Sequence, residues 1–413
     1  MSIVDSKSGL FYWLLALIAG AAFCYSRALY ELFVGVYHQT VLNSSHLSFS
    51  VFILTSIFLW QISKRPSLDL IRYVIPVTAI LYALVFLTVL LLRIDYSRST
   101  ILLSAIPSVL VLIILSRYVH LKDIKNLFLI PNFDTSPWLN NKKFRATVFS
   151  DPLLPESLPD TVAVDLHTEL DAKWQRLIAD LSLHKVPVYH VAALEESLSG
   201  RVDTAYLHEN SVGNLLVDSF YEKLKRFGDV IAVLLLLPLV LPLVVFFLLI
   251  IRLESSGSPF FFQTRVGQGG KTFRLWKLRS MAQVSIKEQA KFATDESHRI
   301  TKVGALIRKC RIDELPQLWN VLKGDMSLIG PRPEQPSFVE LFNQQIPFYS
   351  YRHVVKPGIT GWAQVEQGYA DCEDSTAEKL SYDLFYIKNF SFWLDAVIVL
   401  KTLKTIITGF GAK

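Results

Sequence analysis

Cysteine and charged residues are both scarce in this chain. Its three cysteines, Cys24, Cys310 and Cys372, stand far apart among 413 residues with no Cys-x-x-Cys pair, so the sequence supports neither a disulfide framework nor a zinc site. Charged residues account for 19% of the chain, below the roughly 25% of soluble domains, while hydrophobic residues reach 51%. This balance argues against a wholly water-soluble protein and excludes a disordered one.

Two common ligand motifs are also missing. The nine histidines show no paired metal-binding spacing. The run Gly-Gln-Gly-Gly-Lys271-Thr272 looks like a phosphate-binding P-loop, but Arg265 occupies the position of its first glycine and strand-like runs flank it. The 42 basic residues exceed the 36 acidic ones, for a net charge of +6. This mild excess favours anionic partners, such as phosphate-bearing substrates, nucleic acid or an anionic membrane surface.

Most of the apolar surplus lies in long N-terminal stretches without charged side chains. Each stretch is long enough for a membrane helix, which needs about 20 residues. The first lacks the short apolar core and the cleavage site of a signal peptide, so we expect it to be retained. The distribution of Lys and Arg in the loops places both ends of this unit in the cytoplasm. The sequence predicts a four-helix transmembrane bundle over residues 1–120, with spans near 9–26, 46–62, 73–92 and 100–117.

Residues 121–215 predict a small Rossmann-like α/β domain. Short β-prone runs alternate with turns and with a helical stretch near 171–184. No GxGxxG fingerprint follows a strand there, so we expect a structural or interaction module rather than a dinucleotide site. The predicted strands are Leu127–Ile130, Arg145–Phe149, Thr161–Val164 and Val186–Val191.

A fifth apolar segment, Val230–Ile251, could cross the membrane or turn back within it. Basic residues flank both of its ends, which the positive-inside bias disfavours for a simple span. Pro238 and Pro242 lie in its middle, where each removes a backbone donor. The sequence therefore predicts a broken, re-entrant membrane helix near 228–252, and a kinked span is the alternative.

The remaining chain predicts an α+β catalytic domain, which together with the re-entrant helix occupies residues 216–413. Phe260–Val266 and Thr272–Leu278 predict a hairpin. Helical patterns follow near 284–293, 302–310 and 315–323, and the amphipathic stretch 393–408 lies either on the membrane surface or against the core.

The adjacent acids Asp313 and Glu314 are the strongest candidates for chemistry. Pro316 suits the first turn of a helix and Gly324 its end, so the acids lie at a helix N-terminus, where carboxylates can be merely stabilising. Basic residues including Arg308 surround them. Such a cluster can hold a divalent cation together with a phosphate, and a carboxylate can also attack phosphorus.

Three further motifs carry basic or glycine residues. In Gly330-Pro-Arg332-Pro333, two prolines restrict the backbone around an arginine that can clamp a phosphate, although a rigid turn with a solvated arginine is the alternative. Lys277-Leu-Arg279-Ser-Met281 stands at a hairpin end, and Lys356-Pro-Gly-Ile-Thr-Gly-Trp-Ala-Gln364 is a glycine-punctuated turn.

From Lys223 to Lys413 the chain closely resembles the bacterial sugar transferase family, the polyprenol-phosphate hexose-1-phosphate transferases. The four N-terminal spans and the middle domain resemble the long form of this family. One departure is Gly257-Ser-Pro259, where family members usually have Gly-Pro. The motifs that carry the resemblance are KRFGD at 225–229, FQTRVG at 262–267, LWKLRSM at 275–281, RITKVG at 299–304, DELPQLWNVLKGDMSLIGPRP at 313–333, KPGITGWAQV at 356–365 and YDLFYIKN at 382–389.

The resemblance implies transfer of hexose-1-phosphate from a UDP-hexose to undecaprenyl phosphate with release of UMP, the first membrane step of exopolysaccharide, capsule or O-antigen synthesis. It places the enzyme in the bacterial inner membrane as a homodimer, with the catalytic domain on the cytoplasmic face and no nucleic acid partner. Glucose and galactose are the leading sugars, followed by N-acetylated ones. A flippase is a rival, but four spans with almost no intramembrane ionisable groups disfavour a translocation path.

The resemblance also assigns roles. Asp313 is the nucleophile that forms a phosphosugar–enzyme intermediate, and Glu314 assists by binding Mg²⁺ or handling protons, so both acids are candidate metal ligands. A scaffold with an inactive transferase domain is a second rival, which the intact motifs disfavour. The expected phosphate-binding residues are Lys277, Arg279, Arg308 and Arg332.

Overall fold

The computed structural model describes residues 7–63, 68, 70–122, 126–140, 145–155, 157–203, 217–254, 256–281, 300–367 and 373–408. The chain divides into two compact units, Met1–Ser199 and Gly200–Lys413. The second unit begins ahead of the predicted limit at residue 215, because residues just after Ser199 bond to it. The Gly200 carbonyl accepts a hydrogen bond from Trp362 Nε1 at 2.7 Å, and the Val202 amide donates to the Ser381 carbonyl at 3.0 Å.

Four long helices form the N-terminal part of the first unit and contain the four predicted spans. Hydroxyl side chains face inward, where Ser104 Oγ donates to Ser48 Oγ at 2.9 Å, as small polar residues do between membrane helices. Large apolar side chains such as Leu91 and Leu92 face outward, 73% and 70% exposed. Each helix is long and apolar enough to cross a membrane. The helices are α1 (Lys7–Val34), α2 (Gln39–Ser63), α3 (Ile71–Leu92) and α4 (Arg98–Lys122).

The second part of the first unit contains a four-stranded parallel sheet in the order β2-β1-β3-β4. The predicted strands and helix are confirmed to within two residues at either end. All four residues of the central strand β3 are buried, which is why an uninterrupted apolar run encodes it. The elements are β1 (Asn126–Leu129), α5 (Ser136–Leu139), β2 (Arg145–Val148), β3 (Thr161–Val164), α6 (Ala172–Leu183), β4 (Val188–His190) and α7 (Val191–Ser199).

The fifth apolar segment belongs to one continuous helix, α8 (Ser219–Glu254), which also meets the length and hydropathy of a membrane helix. Pro238 and Pro242 lie inside it, and the helix is continuous through both. The re-entrant course of this segment stays a prediction. Each proline removes one backbone donor, and the remaining bonds of the 36-residue helix keep it intact. The helix begins at Ser219, nine residues before the predicted start at residue 228. It therefore includes the charged segment that precedes the apolar run.

Both halves of α8 pack against the same second unit. Before the prolines, Val233 packs with Leu275 and Leu318 in one buried apolar cluster, and beyond them Ile251 packs with Leu278 and Ile307 in another.

The ends of α8 are held as well. Arg226 near its start donates to the carbonyls of Val321 and Leu322, and Glu254 at its end accepts from the Val303 amide at 3.1 Å. The two ends of the helix are thus tied to one α/β domain.

The α/β domain contains the predicted hairpin, β5 (Phe260–Val266) paired antiparallel with β6 (Thr272–Leu278). The predicted helices at 302–310 and 315–323 are confirmed, whereas the one near 284–293 lies outside the described residues. The C-terminal helix packs against the core through Leu394, Val397 and Ile398, as one of its two predicted positions requires. The other elements are α9 (Lys302–Lys309), α10 (Gln317–Lys323), β7 (Ser327–Ile329), α11 (Pro336–Gln345), β8 (Gly358–Thr360), α12 (Trp362–Glu366), α13 (Glu373–Lys388) and α14 (Phe392–Thr408).

Two glycine-containing loops cross at the parallel pair β7 and β8. The Gly330 amide donates to the Thr360 carbonyl and the Gly358 amide to the Pro331 carbonyl, both at 2.9 Å. A Cβ on Gly330 would lie 2.3 Å from the Lys356 carbonyl oxygen, so only glycine allows this approach. The crossing fixes the backbone next to Arg332.

We expect Gly330→Ala to lower the free energy of unfolding by about 1–3 kcal/mol, the cost of forcing an extra carbon into a packed site. Thermal unfolding of the full-length protein in detergent measures the loss. The control is Gly228→Ala on α8, where a Cβ would meet nothing within 4 Å and alanine favours the helix. Equal melting temperatures for Gly330→Ala and the unmodified protein would contradict the close approach.

Candidate active site

The acidic pair lies in a short turn between two helices. Helix α9 ends at Lys309, and Arg311 adopts a left-handed conformation with φ of 54°. This residue leads into a single 3₁₀ turn, Ile312–Glu314, before Pro316 starts helix α10. The turn directs both acidic side chains inward, and Asp313 and Glu314 are only 9% and 7% exposed. Two buried adjacent acids need compensating charge.

Glu314 receives that charge from two other elements. Its Oε1 accepts hydrogen bonds from Lys277 Nζ on β6 at 3.0 Å and from Arg332 Nη2 after β7 at 2.7 Å, and Arg311 Nη1 lies 3.9 Å from Oε2. Burial disfavours the ionised form, but Arg332 and Lys277 outweigh it and hold the pKa of Glu314 well below its ordinary value. Glu314 is therefore an ionised carboxylate at neutral pH.

Asp313 lies in a different environment. Burial raises the pKa of its carboxyl group; Lys277 opposes the rise, Glu314 adds to it, and Arg332 and Arg308 oppose it. Within the described part of the chain, no side chain donates a hydrogen bond to this carboxylate. A poorly solvated carboxylate surrounded by cations is available for reaction, whereas Glu314 is occupied by its ion pairs.

The four basic residues predicted to bind phosphate lie in two different environments. Lys277, Arg308 and Arg332 all act electrostatically on Asp313. The Arg308 Nη1 is buried and has no hydrogen-bond partner in the described ranges, as expected of a donor that awaits an anion. Arg279 instead donates from Nη1 to the Ser256 carbonyl at 2.8 Å. It braces the loop before β5, and its role as a phosphate ligand stays a prediction.

A second, largely buried charge cluster, which contacts the Arg332 loop, was missed from the sequence. Glu334 Oε1 pairs with Lys379 Nζ at 2.6 Å, and Arg265 lies 3.4 Å from Oε2. Arg352 donates to Asp383 at 2.8 Å and to the Arg332 carbonyl at 2.9 Å, so the cluster supports the loop that carries Arg332. The available signal was Glu334 directly after the Gly-Pro-Arg-Pro run, but its partners lie far away in the chain.

The acidic pair also suits Mg²⁺. No group of three His, Cys, Asp or Glu side chains with metal-binding geometry occurs among the described residues. Protein-bound Mg²⁺ commonly uses only one or two carboxylates and takes its remaining ligands from substrate phosphates and water. The Asp313 carboxylate and the Oε2 atom of Glu314, which takes no part in the bonds from Lys277 and Arg332, match this donor chemistry.

Comparisons with known proteins show the family of this chain. The profile of the family described as bacterial sugar transferase matches residues 220–409. A UDP-N-acetylgalactosamine-undecaprenyl-phosphate N-acetylgalactosaminephosphotransferase from Aeromonas hydrophila is 43% identical over 89% of this chain and 87% of its own length. The chain belongs to the bacterial sugar transferase family. The resemblance noted from the motifs is thus confirmed, and this sugar transferase is a membrane enzyme.

Other relatives match less than half of this chain. A UDP-glucose:undecaprenyl-phosphate glucose-1-phosphate transferase from Escherichia coli (strain K12) is 41% identical over 44% of this sugar transferase and 39% of its own length. One with the same activity from Caulobacter vibrioides is 41% identical over 45% of the chain and 70% of its own length.

The charged surroundings of Glu334 predict that the free energy of unfolding falls in acid. Burial raises its pKa, but Lys379, Arg352 and Arg265 outweigh this and lower the pKa from 4.5 to about 2. The carboxylate therefore stabilises the folded protein fully above about pH 4.5, and this contribution is lost as the pH falls towards 2. We expect Glu334→Gln to lower the free energy of unfolding by about 3 kcal/mol at pH 7, and the difference from the unmodified protein to shrink below pH 4.5.

Melting temperatures of both full-length proteins between pH 7 and pH 3 measure this difference. Glu340→Gln, on the exposed surface of α11, is the control and should match the unmodified protein at every pH. A difference that stays constant across the range would show that the Glu334 charge is not responsible.

Proposed function

We propose that this sugar transferase moves a sugar 1-phosphate from a UDP-sugar to undecaprenyl phosphate through a covalent intermediate on Asp313. The observation that carries the proposal is the contrast between two adjacent buried acids. The pKa of Asp313 is raised and that of Glu314 is lowered, and such divergence within one site separates the roles of two carboxylates. Asp313 attacks, while Glu314 remains ionised and fixes the surrounding cations.

The reaction proceeds in two displacements at one phosphorus atom. In the first, an Asp313 oxygen bonds to the β-phosphorus of the UDP-sugar, and the bond from that phosphorus to UMP breaks with the electron pair leaving on UMP. In the second, a phosphate oxygen of undecaprenyl phosphate bonds to the same phosphorus and the Asp313 carboxylate is released. The product is a sugar diphospholipid, and the enzyme regains its original state.

The basic residues stabilise charge on the phosphates. Lys277, Arg308 and Arg332 are already placed around Asp313, so no reorganisation is needed when negative charge develops on the phosphoryl oxygens. The unpartnered Arg308 Nη1 is the donor that a phosphate oxygen would satisfy. Mg²⁺, held by Asp313 and Glu314 with the substrate phosphates, would neutralise the diphosphate and make UMP a better leaving group.

The favoured sugar is an N-acetylhexosamine. The Aeromonas relative that matches 89% of this chain is named for N-acetylgalactosamine, while the Escherichia coli and Caulobacter relatives named for glucose match less than half of it. This ranks N-acetylated sugars above the glucose and galactose that the motifs alone favoured. Formation of this lipid-linked sugar is then the first membrane step of a surface polysaccharide.

The membrane arrangement follows from helix α8. Because both ends of this apolar helix are tied to one α/β domain, we propose that it enters and leaves the same leaflet of the bacterial inner membrane. The catalytic domain then lies on the cytoplasmic face, where UDP-sugars are available, and Asp313 meets the lipid phosphate at the surface. A homodimer is the expected assembly of this long form.

We expect Asp313→Asn to abolish both UMP release and the covalent sugar phosphate, because an amide cannot displace UMP. Purified full-length enzyme is incubated with Mg²⁺, undecaprenyl phosphate and radiolabelled UDP-N-acetylgalactosamine or UDP-glucose, and UMP and lipid product are measured. Omitting the lipid phosphate should trap label on the protein. The control is Asp180→Asn, an exposed acid on α6.

Undiminished turnover in Asp313→Asn would refute the nucleophile. Faster turnover with UDP-glucose than with UDP-N-acetylgalactosamine would refute the proposed sugar and leave the mechanism standing.

A pH profile tests the charge environment of Asp313. Removing a nearby cation raises the pKa of a carboxyl group further, so Arg308→Gln should move the acidic limb of the kcat/KM profile to higher pH and lower the plateau. Lys309→Gln removes the same charge from an exposed neighbouring position and should leave the limb in place. If the acidic limb of the kcat/KM profile lies at the same pH in Arg308→Gln and in the unmodified enzyme, either the placement of Arg308 or the role of Asp313 as the ionising group is contradicted.

A further inference from the structure

Asn320 lies on helix α10, which follows the acidic turn, and its side chain is fully buried at 0% exposed. A buried amide needs an acceptor for its nitrogen and a donor for its oxygen. Asn320 Oδ1 accepts a hydrogen bond from the Trp276 amide at 3.1 Å, and Nδ2 donates to the Arg274 carbonyl at 2.8 Å. Nδ2 also lies 3.3 Å from Oδ2 of Asp325, so the nitrogen faces two acceptors and the oxygen faces a donor.

The two backbone groups that Asn320 binds lie on the free edge of strand β6. This strand pairs with β5 along its other edge, and alternate residues of a strand direct their backbone groups to the same side. Arg274 and Trp276 stand on either side of Leu275, and both present a backbone group to helix α10. The Asn320 amide thus takes the place that a third strand would occupy, and it pairs a carbonyl and an amide that an edge strand leaves open.

These bonds hold the strand next to a lysine of the acidic site. Lys277 follows Trp276 directly, and its Nζ donates to Glu314 Oε1 at 3.0 Å. The lysine is therefore held at both ends, because Asn320 fixes the backbone beside it and Glu314 fixes its ammonium group. Asn320 and Glu314 both belong to the segment 312–323, so this one segment sets the position of the whole Lys277 side chain.

Apolar packing between α10 and β6 does not define this position by itself. Leu275 of β6 packs with Leu318 and Val321 of α10 in one buried cluster. Apolar contacts are non-directional, so they tolerate a small sliding of the helix along the strand. Hydrogen bonds to two particular backbone groups require one geometry, and they fix the register between the two elements.

We propose that Asn320 is a positioning residue for the transfer reaction and holds Lys277 where its ammonium group stabilises the phosphoryl group at Asp313. Asn320 acts through Lys277 and needs no contact with the substrate. The inference rests on the proposed function, because that function supplies the phosphoryl oxygens on which Lys277 acts.

A double-mutant cycle separates positioning from a merely structural role. Full-length Asn320→Ala, Lys277→Gln, the double variant and the unmodified enzyme are assayed with undecaprenyl phosphate and Mg²⁺, below the melting temperature of each protein. The donor is UDP-N-acetylgalactosamine or UDP-glucose, whichever the unmodified enzyme uses faster. Lys277→Gln removes the charge and keeps a hydrogen-bond donor for Glu314.

We expect Asn320→Ala to lower kcat/KM about tenfold to hundredfold, because a misplacement of about 1 Å in a catalytic group can cost about 100-fold. The loss should fall on kcat rather than on KM, since Lys277 stabilises charge that develops only during transfer. In the Lys277→Gln background, the same substitution should cost less than about twofold, because two residues that act through one interaction are not additive.

Two further variants keep the cycle interpretable. Asn320→Asp retains the size of the side chain and the acceptor for the Trp276 amide but removes the donor to Arg274. It should show the same loss and the same lack of additivity, and it replaces Asn320→Ala if that protein does not fold. Asn343→Ala changes an exposed asparagine of α11 and should leave kcat/KM unchanged in both backgrounds.

Equal losses from the Asn320 substitution in both backgrounds, or no loss in either, would overturn the positioning role. The Asp313→Asn assay distinguishes this result from a failure of the proposed function. Turnover in Asp313→Asn refutes the nucleophile, whereas an inactive Asp313→Asn together with additive losses at Asn320 and Lys277 refutes the positioning role alone.

Discussion

The ion pairs of the Glu314 carboxylate hold the catalytic region together. One carboxylate oxygen accepts hydrogen bonds from Lys277 on strand β6 and from Arg332 in the loop after β7, so three separate segments meet at one buried charge. Removing one partner of a buried ion pair leaves an uncompensated charge, which costs about 3–5 kcal/mol. The turn, the strand end and the loop are therefore fixed relative to one another, because each contributes a charged side chain to the same buried ion pairs.

This arrangement also explains how two adjacent acids acquire different properties. Glu314 takes both hydrogen-bonding cations, whereas Asp313 shares only their longer-range field and is dominated by burial. The Gly-Pro-Arg-Pro loop is held in place by the Gly330 crossing on one side and by Arg352 on the other. The site is thus preorganised by groups that do not themselves need to touch a substrate.

The apolar helix α8 connects this site to the bilayer. Its two halves bury apolar side chains in two clusters of the same domain, while other large side chains such as Leu235 and Leu239 remain 76% and 75% exposed. A soluble protein would not tolerate such a surface, but a domain partly sunk in lipid requires it. The proposed membrane arrangement would let the site accept one substrate from water and another from the membrane.

The sequence by itself determined the membrane helices, the parallel strands and the family, because charge-free length, apolar runs and contiguous motifs depend only on nearby residues. It also singled out Asp313 and Glu314, which the structure shows to be buried. Only the tertiary structure showed that Lys277 and Arg308 act on Asp313, whereas Arg279 donates to the Ser256 carbonyl. It also showed that α8 continues through its prolines and that distant residues form the charge cluster around Glu334. Lys277 and Glu314 are 37 residues apart, and pairing over such distances follows from how the segments pack, which no local pattern encodes.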